Sequence, residues 1–152
     1  MAELLILMAG LPGSGKTTRL CHMLREHWLL FDDYKREAFN DCSKFRDSRK
    51  FRALVSALRD GVRCAVADIH FCKTEPREEA EDALREEVPG VSPYWQFFEN
   101  DPVACEENIR HRNRDCLQKE LENLQDLSRA YHIPPGAVVF SVRRHTDRRE
   151  EN

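Results

Sequence analysis

The sequence predicts an α/β protein: a parallel sheet with helices on both faces. Three observations carry that expectation. Short apolar runs alternate with amphipathic stretches, several of those runs end at a glycine or an aspartate, and a glycine-rich loop joins the first run to the first helix. At 152 residues, 41% hydrophobic and 34% charged, the chain is large enough to bury a core without staples. No repeat, low-complexity tract or linker divides it, so residues 1–152 read as a single domain.

The elements come in the following order. "ELLILMAG" is a continuous apolar run, as expected of a central strand buried on both faces. Thr17 to His27 continues as a helix with Leu20, Met23 and Leu24 on one stripe. "HWLLFDDYK" gives a second short strand ending at two aspartates. Phe51, Leu54, Val55 and Leu58 then recur at helical spacing until Gly61. "VRCAVADIHF" is a third strand ending at Asp68, and a helix runs from about Glu75 to Glu87 with Pro76 in its first turn. "SPYWQFFEN" is strand four. Pro102 opens a long polar helix in which Leu117, Leu121, Leu124 and Leu127 keep helical spacing; over barely two heptads that stripe reads as core packing and not as a zipper. "IPPGAVVFSVRR" supplies a turn and a fifth strand.

Composition excludes several classes. The formal net charge is -3, so nothing global demands a polyanionic partner. Charge is blocked locally: Lys44, Arg46, Arg49, Lys50, Arg52, Arg59 and Arg63 face only Asp47 and Asp60, and from Lys73 to Glu87 the sign reverses. The six cysteines show no CxxC and no zinc-ligand spacing, so neither a structural zinc nor a disulfide framework is expected. The apolar run at Leu4–Ala9 is too short for a signal core or a membrane span, and the expectation is a reduced, cytoplasmic protein with no membrane partner.

The chemistry lies in the first loop. Gly10, Gly15, Lys16 and Thr17 complete G-x-x-x-x-G-K-[ST] between a predicted strand and a predicted helix. Glycines let successive N–H groups converge on phosphate oxygens, and the helix N-terminus adds a favourable dipole. Gly10, Gly13, Ser14, Gly15, Lys16, Thr17 and Thr18 are therefore the expected ATP-binding residues. Lys16 supplies charge to the β- and γ-phosphates, and the Thr17 hydroxyl ligates Mg²⁺. The rest of the sheet's C-terminal edge should hold the remaining parts. Asp68, after "CAVA", suits an aspartate that holds Mg²⁺ through water, or a helix cap. His70 either touches the acceptor substrate or closes the turn. Of Asp32 and Asp33, one suits a general base for an acceptor hydroxyl and the other a helix cap. In "ENIRHRNRD", Arg110 and Arg114 share a helical face, with Arg112 beside it. They suit a lid over the transferring phosphoryl group, or a solvated face on which Arg110 pairs with Glu106.

With these residues in view, the sequence resembles the small P-loop kinases grouped with polynucleotide 5′-hydroxyl kinase and the zeta toxins. The resemblance rests on "GLPGSGKTT", "FDDYKREAF", "VADIHF" and "ENDPVACEENIRHRNRD" and covers nearly the whole chain. It implies a three-layer P-loop nucleoside-triphosphatase fold, a five-stranded parallel sheet of order 2-3-1-4-5, and a helical lid at roughly 106–118. It implies Asp32 as base and Lys35 as the group holding a substrate phosphate, with Asp33 beside it. It also implies Asp68 at the metal, Arg110 and Arg114 as lid arginines, and Arg143 near the adenine. Lys35 stands where polynucleotide kinases more often carry arginine, which removes the bidentate phosphate fork. The expected activity is ATP- and Mg²⁺-dependent phosphoryl transfer to a hydroxyl. The leading acceptor is a nucleic-acid or nucleotide 5′-hydroxyl, with a small metabolite (a sugar, nucleoside or nucleotide-sugar) next. A regulatory nucleotide-binding module is the rival from another class. No N/T-K-x-D follows strand four, so guanine specificity is not expected.

Overall fold

A computed structural model describes residues 4–37, 40–112 and 115–145. Its sheet has five parallel strands: β1 (Leu5–Ala9), β2 (Leu29–Phe31), β3 (Cys64–Ala67), β4 (Tyr94–Phe98) and β5 (Val138–Phe140). Their spatial order is β2-β3-β1-β4-β5, the order expected. β1 is central because all five of its residues are buried, as a strand covered on both faces must be. Leu5, Leu7 and Ala9 point into the larger core, and Ile6 and Met8 into the smaller one.

The five helices are α1 (Lys16–Leu24), α2 (Lys50–Arg59), α3 (Thr74–Glu87), α4 (Pro102–Arg112) and α5 (Leu117–Ala130). Leu20 and Met23 of α1 close the smaller core, together with Trp28. Leu54 and Leu58 of α2, Ala80, Ala83 and Leu84 of α3, Ile109 of α4, and Leu124 and Leu127 of α5 fill the larger one. Full burial of each such leucine or isoleucine contributes about 1.5–3 kcal/mol. The α5 leucines are thus core, as their short stripe implied. α2 ends with the N–H of Gly61 on Leu58 O and that of Val62 on Ala57 O, a Schellman pair.

The long helix expected after Pro102 is divided in two. α4 ends at Arg112 and α5 begins at Leu117. The sequence between the last buried residue of α4, Ile109, and Leu117 is entirely polar apart from Cys116. No apolar stripe holds a continuous rod against the sheet there. A small hairpin, Arg36–Glu37 with Asn40–Asp41, also interrupts the loop after β2 and has no pattern long enough to be read from sequence.

Two polar clamps tie the layers near the loop. The Tyr131 hydroxyl lies against the carbonyls of Ala9 (3.3 Å) and Phe98, pinning the C-terminal ends of β1 and β4 side by side. Arg77, buried, donates to the carbonyls of Phe71 (2.7 Å) and His132 (2.8 Å) and joins α3 to the segments on either side of it.

Candidate active site

The loop Gly10–Gly15 leaves β1 and enters α1 through Gly15, which takes a left-handed conformation at φ 108° that an L side chain rarely adopts. Gly13 is constrained differently. A Cβ built on it would lie 2.5 Å from the Cys105 carbonyl oxygen and 2.9 Å from Ile109 Cγ1, so α4 packs directly on the loop. Asn108 completes this contact, its amide donating to Gly13 O and Arg143 O at 2.9 Å each. The body of α4 therefore braces the loop.

Lys16 lies beneath the loop. Its ammonium donates to Gly10 O (2.7 Å) and Leu11 O (2.9 Å) and approaches Ser14 Oγ (3.4 Å). Burial pushes its pKa below the ordinary lysine value, opposed by the nearby cysteines and by Asp33 and Asp32. The Thr17 hydroxyl donates to Asp32 Oδ2 at 2.6 Å, and Asp32 Oδ1 accepts the Asp33 N–H at 2.9 Å. Both oxygens of Asp32 thus accept a hydrogen bond, one from the start of α1 and one from its own turn. Thr17 and Asp32 juxtapose two hard oxygen donors. That suits Mg²⁺, which takes one or two protein oxygens and fills its remaining positions with water and phosphate.

Asp33 has φ 47°, a left-handed turn that aspartate tolerates better than most residues. Its carboxylate accepts no hydrogen bond from the described residues. Partial burial, then Asp32, push its pKa above the usual aspartate value, with Lys16 opposing. Lys50, from the first turn of α2, fixes the pair by donating to the carbonyls of Asp32 (2.9 Å) and Asp33 (3.1 Å).

Asp68 is buried and braced. Oδ2 accepts the Lys35 N–H at 2.6 Å; Oδ1 accepts the His70 N–H at 2.7 Å and faces His70 Nδ1 at 2.5 Å. Burial pushes its pKa up, but the His70 hydrogen bond and charge and the two backbone N–H groups outweigh it and hold the carboxyl below its usual value. Its geometry is that of a cap on the turn Ile69–Cys72, cross-linked to the β2 loop, the second of the two sequence alternatives. Asp68→Ala should lower unfolding free energy by about 2–3 kcal/mol at neutral pH, because the buried Lys35 N–H and two part-buried His70 groups lose their partner. A depressed carboxyl stabilises the fold above its unfolded pKa and loses that contribution as pH falls through the folded one. The difference between variant and wild type in urea unfolding should therefore shrink below about pH 4.

Several expected residues lie elsewhere. Lys35 is buried and turned from the cleft, its ammonium donating to Ser43 O at 3.1 Å. Arg36, the next residue, borders the cleft in its place. Arg110 pairs with Glu106 at 3.5 Å on an exposed face, the solvated alternative, and does not line the loop cleft. Arg112 does line it and reaches Glu120 at 3.6 Å. Arg114 lies outside the described residues. The Arg143 carbonyl accepts the Asn108 amide, and Arg143 is not one of the residues lining the cleft. Thr18 lines the cleft with Gly13, Ser14, Gly15, Lys16 and Thr17. The rings of His111 and His145 stack at its rim, their centroids 3.2 Å apart. The places that Asn108, Lys50 and Arg36 take at the cleft have no local signature in the sequence.

The basic run finds partners within the fold. Arg46 pairs with Glu86 (3.2 Å) and Arg59 with Glu87 (3.1 Å). Arg63 donates to Glu26 O and lies over the Trp28 ring, and Lys50 is turned inward. Two of the seven basic residues are thus paired with the acidic block of α3.

No protein-family model matches the chain. Over 133 residues it is 29% identical to an uncharacterized protein of Acanthamoeba polyphaga mimivirus, covering 88% of this chain and 89% of that protein. Among solved structures it is similar to a gluconokinase from Sinorhizobium meliloti 1021, with TM-score 0.56, 17% identity, and 93% and 85% of the two chains covered. It is also similar to Chaetomium thermophilum Kti12 in complex with ADP-AlF3, with TM-score 0.56, 16% identity, and 96% and 94% covered. At these identities the similarity is one of fold, and the fold is that of P-loop kinases and related nucleoside triphosphatases. Among the described residues, no helix is long and apolar enough to cross a membrane.

Proposed function

We propose that the protein is an ATP- and Mg²⁺-dependent kinase that transfers the γ-phosphoryl group to an acceptor hydroxyl. The observation that carries this reading is the convergence, at one end of the sheet, of the glycine loop, Lys16, the Thr17–Asp32 contact of 2.6 Å and a second carboxylate, Asp33, beside them. A loop alone serves any nucleotide-binding protein. An acidic pair bordering the cleft adds what transfer to a hydroxyl needs, a proton acceptor next to the phosphate site.

In this reading the loop amides and Lys16 hold the phosphates, with Lys16 exchanging its carbonyl partners for phosphate oxygens. Thr17 and Asp32 hold Mg²⁺, which when bound neutralises charge on the β- and γ-phosphates. Asp33 takes the acceptor proton. Arg112, the last residue of α4, lines the cleft and meets the transferring group, with Arg114 two residues further along the chain.

A 5′-hydroxyl end, the acceptor implied by the resemblance, calls for a cationic track along a nucleic-acid backbone. The partners found for Arg46, Lys50, Arg59 and Arg63 deplete that track and favour a small-metabolite acceptor. Lys16→Ala should weaken ATP binding and lower kcat/KM by at least about a hundredfold. The check is labelled γ-phosphate transfer together with calorimetric ATP titration. ATP binding without transfer to any hydroxyl in a broad panel would sink the kinase reading and favour a regulatory module.

A further inference from the structure

The loop cleft continues into a smaller cavity of about 100 Å³. Its walls include Asp33 and Arg36 from the β2 loop, Asp68 and His70 from the β3 loop, and Lys119 and Asn123 from one face of α5. Asp33, Arg36 and Asn123 border both spaces, so whatever fills the smaller one lies next to the phosphate site. That volume equals roughly three waters at liquid density. It suits a carboxylate or phosphate group with a short carbon stem.

Charge pairing distinguishes the cations here. Lys16, Lys35 and Lys50 donate to backbone carbonyls, and Arg112 pairs with Glu120, the third carboxylate on the cavity wall after Asp33 and Asp68. The side chains of Arg36 and Lys119 have no hydrogen-bond or ion-pair partner among the described residues, apart from the through-space effect of Arg36 on Asp33. They approach the same small cavity from different elements, one from the β2 loop and one from the first turn of α5. Two cations with no such partner converge from separate walls of a cavity that also carries Asp33, Asp68 and Glu120. With Asp68 engaged by His70 and the Lys35 N–H, and Glu120 by Arg112, they form an anion clamp with Asp33 as proton acceptor at its mouth.

We propose that Arg36 and Lys119 form the acceptor's anion subsite, so that the phosphorylated hydroxyl belongs to a small molecule bearing a carboxylate or a phosphate. This rests on the kinase reading above. With the anion clamped, the hydroxyl faces Asp33. Its O–H bond breaks with the proton passing to Asp33, and its oxygen bonds to the γ-phosphorus. The bond from that phosphorus to the β–γ bridging oxygen breaks, and ADP leaves.

The test has two arms. In the first, γ-labelled ATP is offered sugar acids, sugar monophosphates, the matching neutral sugars and 5′-hydroxyl oligonucleotides. Label should enter one of the two anionic sets, which identifies the anion. Arg36→Ala and Lys119→Ala should each lower kcat/KM for that acceptor at least tenfold, with KM for ATP within twofold. Preferential labelling of neutral sugars or oligonucleotides overturns the subsite while the kinase reading stands. The second arm needs no turnover. With Mg²⁺ and a non-hydrolysable ATP analogue filling the loop, inorganic phosphate is titrated by calorimetry. Wild type should bind it, and both variants should bind at least tenfold more weakly. Equal affinity in all three proteins, or no binding to wild type, overturns the subsite whatever becomes of the kinase reading.

Discussion

A Gly13→Ala protein is expected to lose nucleotide binding and about 2–5 kcal/mol of stability together. Two costs add at this position. Its φ of +80° lies in the left-handed region, where an L side chain clashes with its own backbone. The new methyl would also lie 2.5 Å from the Cys105 carbonyl oxygen, a backbone atom of α4 that moves only if the helix moves. Shifting α4 displaces Asn108 and its bond to Gly13 O, so the loop loses its brace and its shape at once. Gly90 separates the two costs: it has φ +90° but nothing within 4 Å of a built Cβ. Gly90→Ala should cost only about 1–2 kcal/mol and leave ATP affinity unchanged. Chemical denaturation and ATP-analogue titration of both variants provide the check. Equal stability losses, or intact nucleotide binding in Gly13→Ala, would mean that the packing of α4 on the loop does not set its geometry.

That contact also marks the boundary of what the sequence makes legible. The loop and β1 are read directly, because the G-x-x-x-x-G-K-[ST] spacing and a doubly buried apolar run are local patterns that admit few structures. Gly13 and Asn108 are 95 residues apart, and no local pattern links them. The charge blocks show the same limit. The basic run at Lys44–Arg63 and the acidic run at Lys73–Glu87 are both plain in the sequence, but not that they face each other through Arg46–Glu86 and Arg59–Glu87. A basic block seen alone suggests a polyanion partner; set against α3, two of its seven cations are paired within the fold. Side-chain direction is the third case. The resemblance selects Lys35 by position, but the left-handed turn at Asp33 re-aims the next three side chains. Tyr34 and Lys35 are buried beneath the loop while Arg36 emerges at the cleft. Which of the two adjacent cations borders the cleft depends on the backbone path after Asp33, and no composition or periodicity encodes that path.

The acidic pair should divide its work in a way that substitution can separate. Asp33→Asn is expected to lower kcat at least about a hundredfold with ATP affinity nearly intact, because the lost group acts on the acceptor's proton and not on the phosphates. Asp32→Asn should act on the metal side. Its carboxylate holds the Thr17 hydroxyl at 2.6 Å, and an amide there lacks the charge that Mg²⁺ requires, so affinity for Mg²⁺-ATP should fall while metal-free ATP binds nearly as before. Neither change should unfold the chain, since Lys50 holds the pair through backbone carbonyls that both variants keep. Nucleotide titration with and without Mg²⁺, followed by single-turnover transfer at saturating ATP, separates the two effects. If Asp32→Asn abolishes transfer without touching Mg²⁺-ATP affinity, and Asp33→Asn is nearly silent, the base is the residue chosen by the resemblance. The Thr17–Asp32 hydrogen bond would then be a contact that opens when the acceptor binds. If both substitutions lower transfer equally with no loss of affinity, the proton is shared by the pair and belongs to neither carboxylate alone.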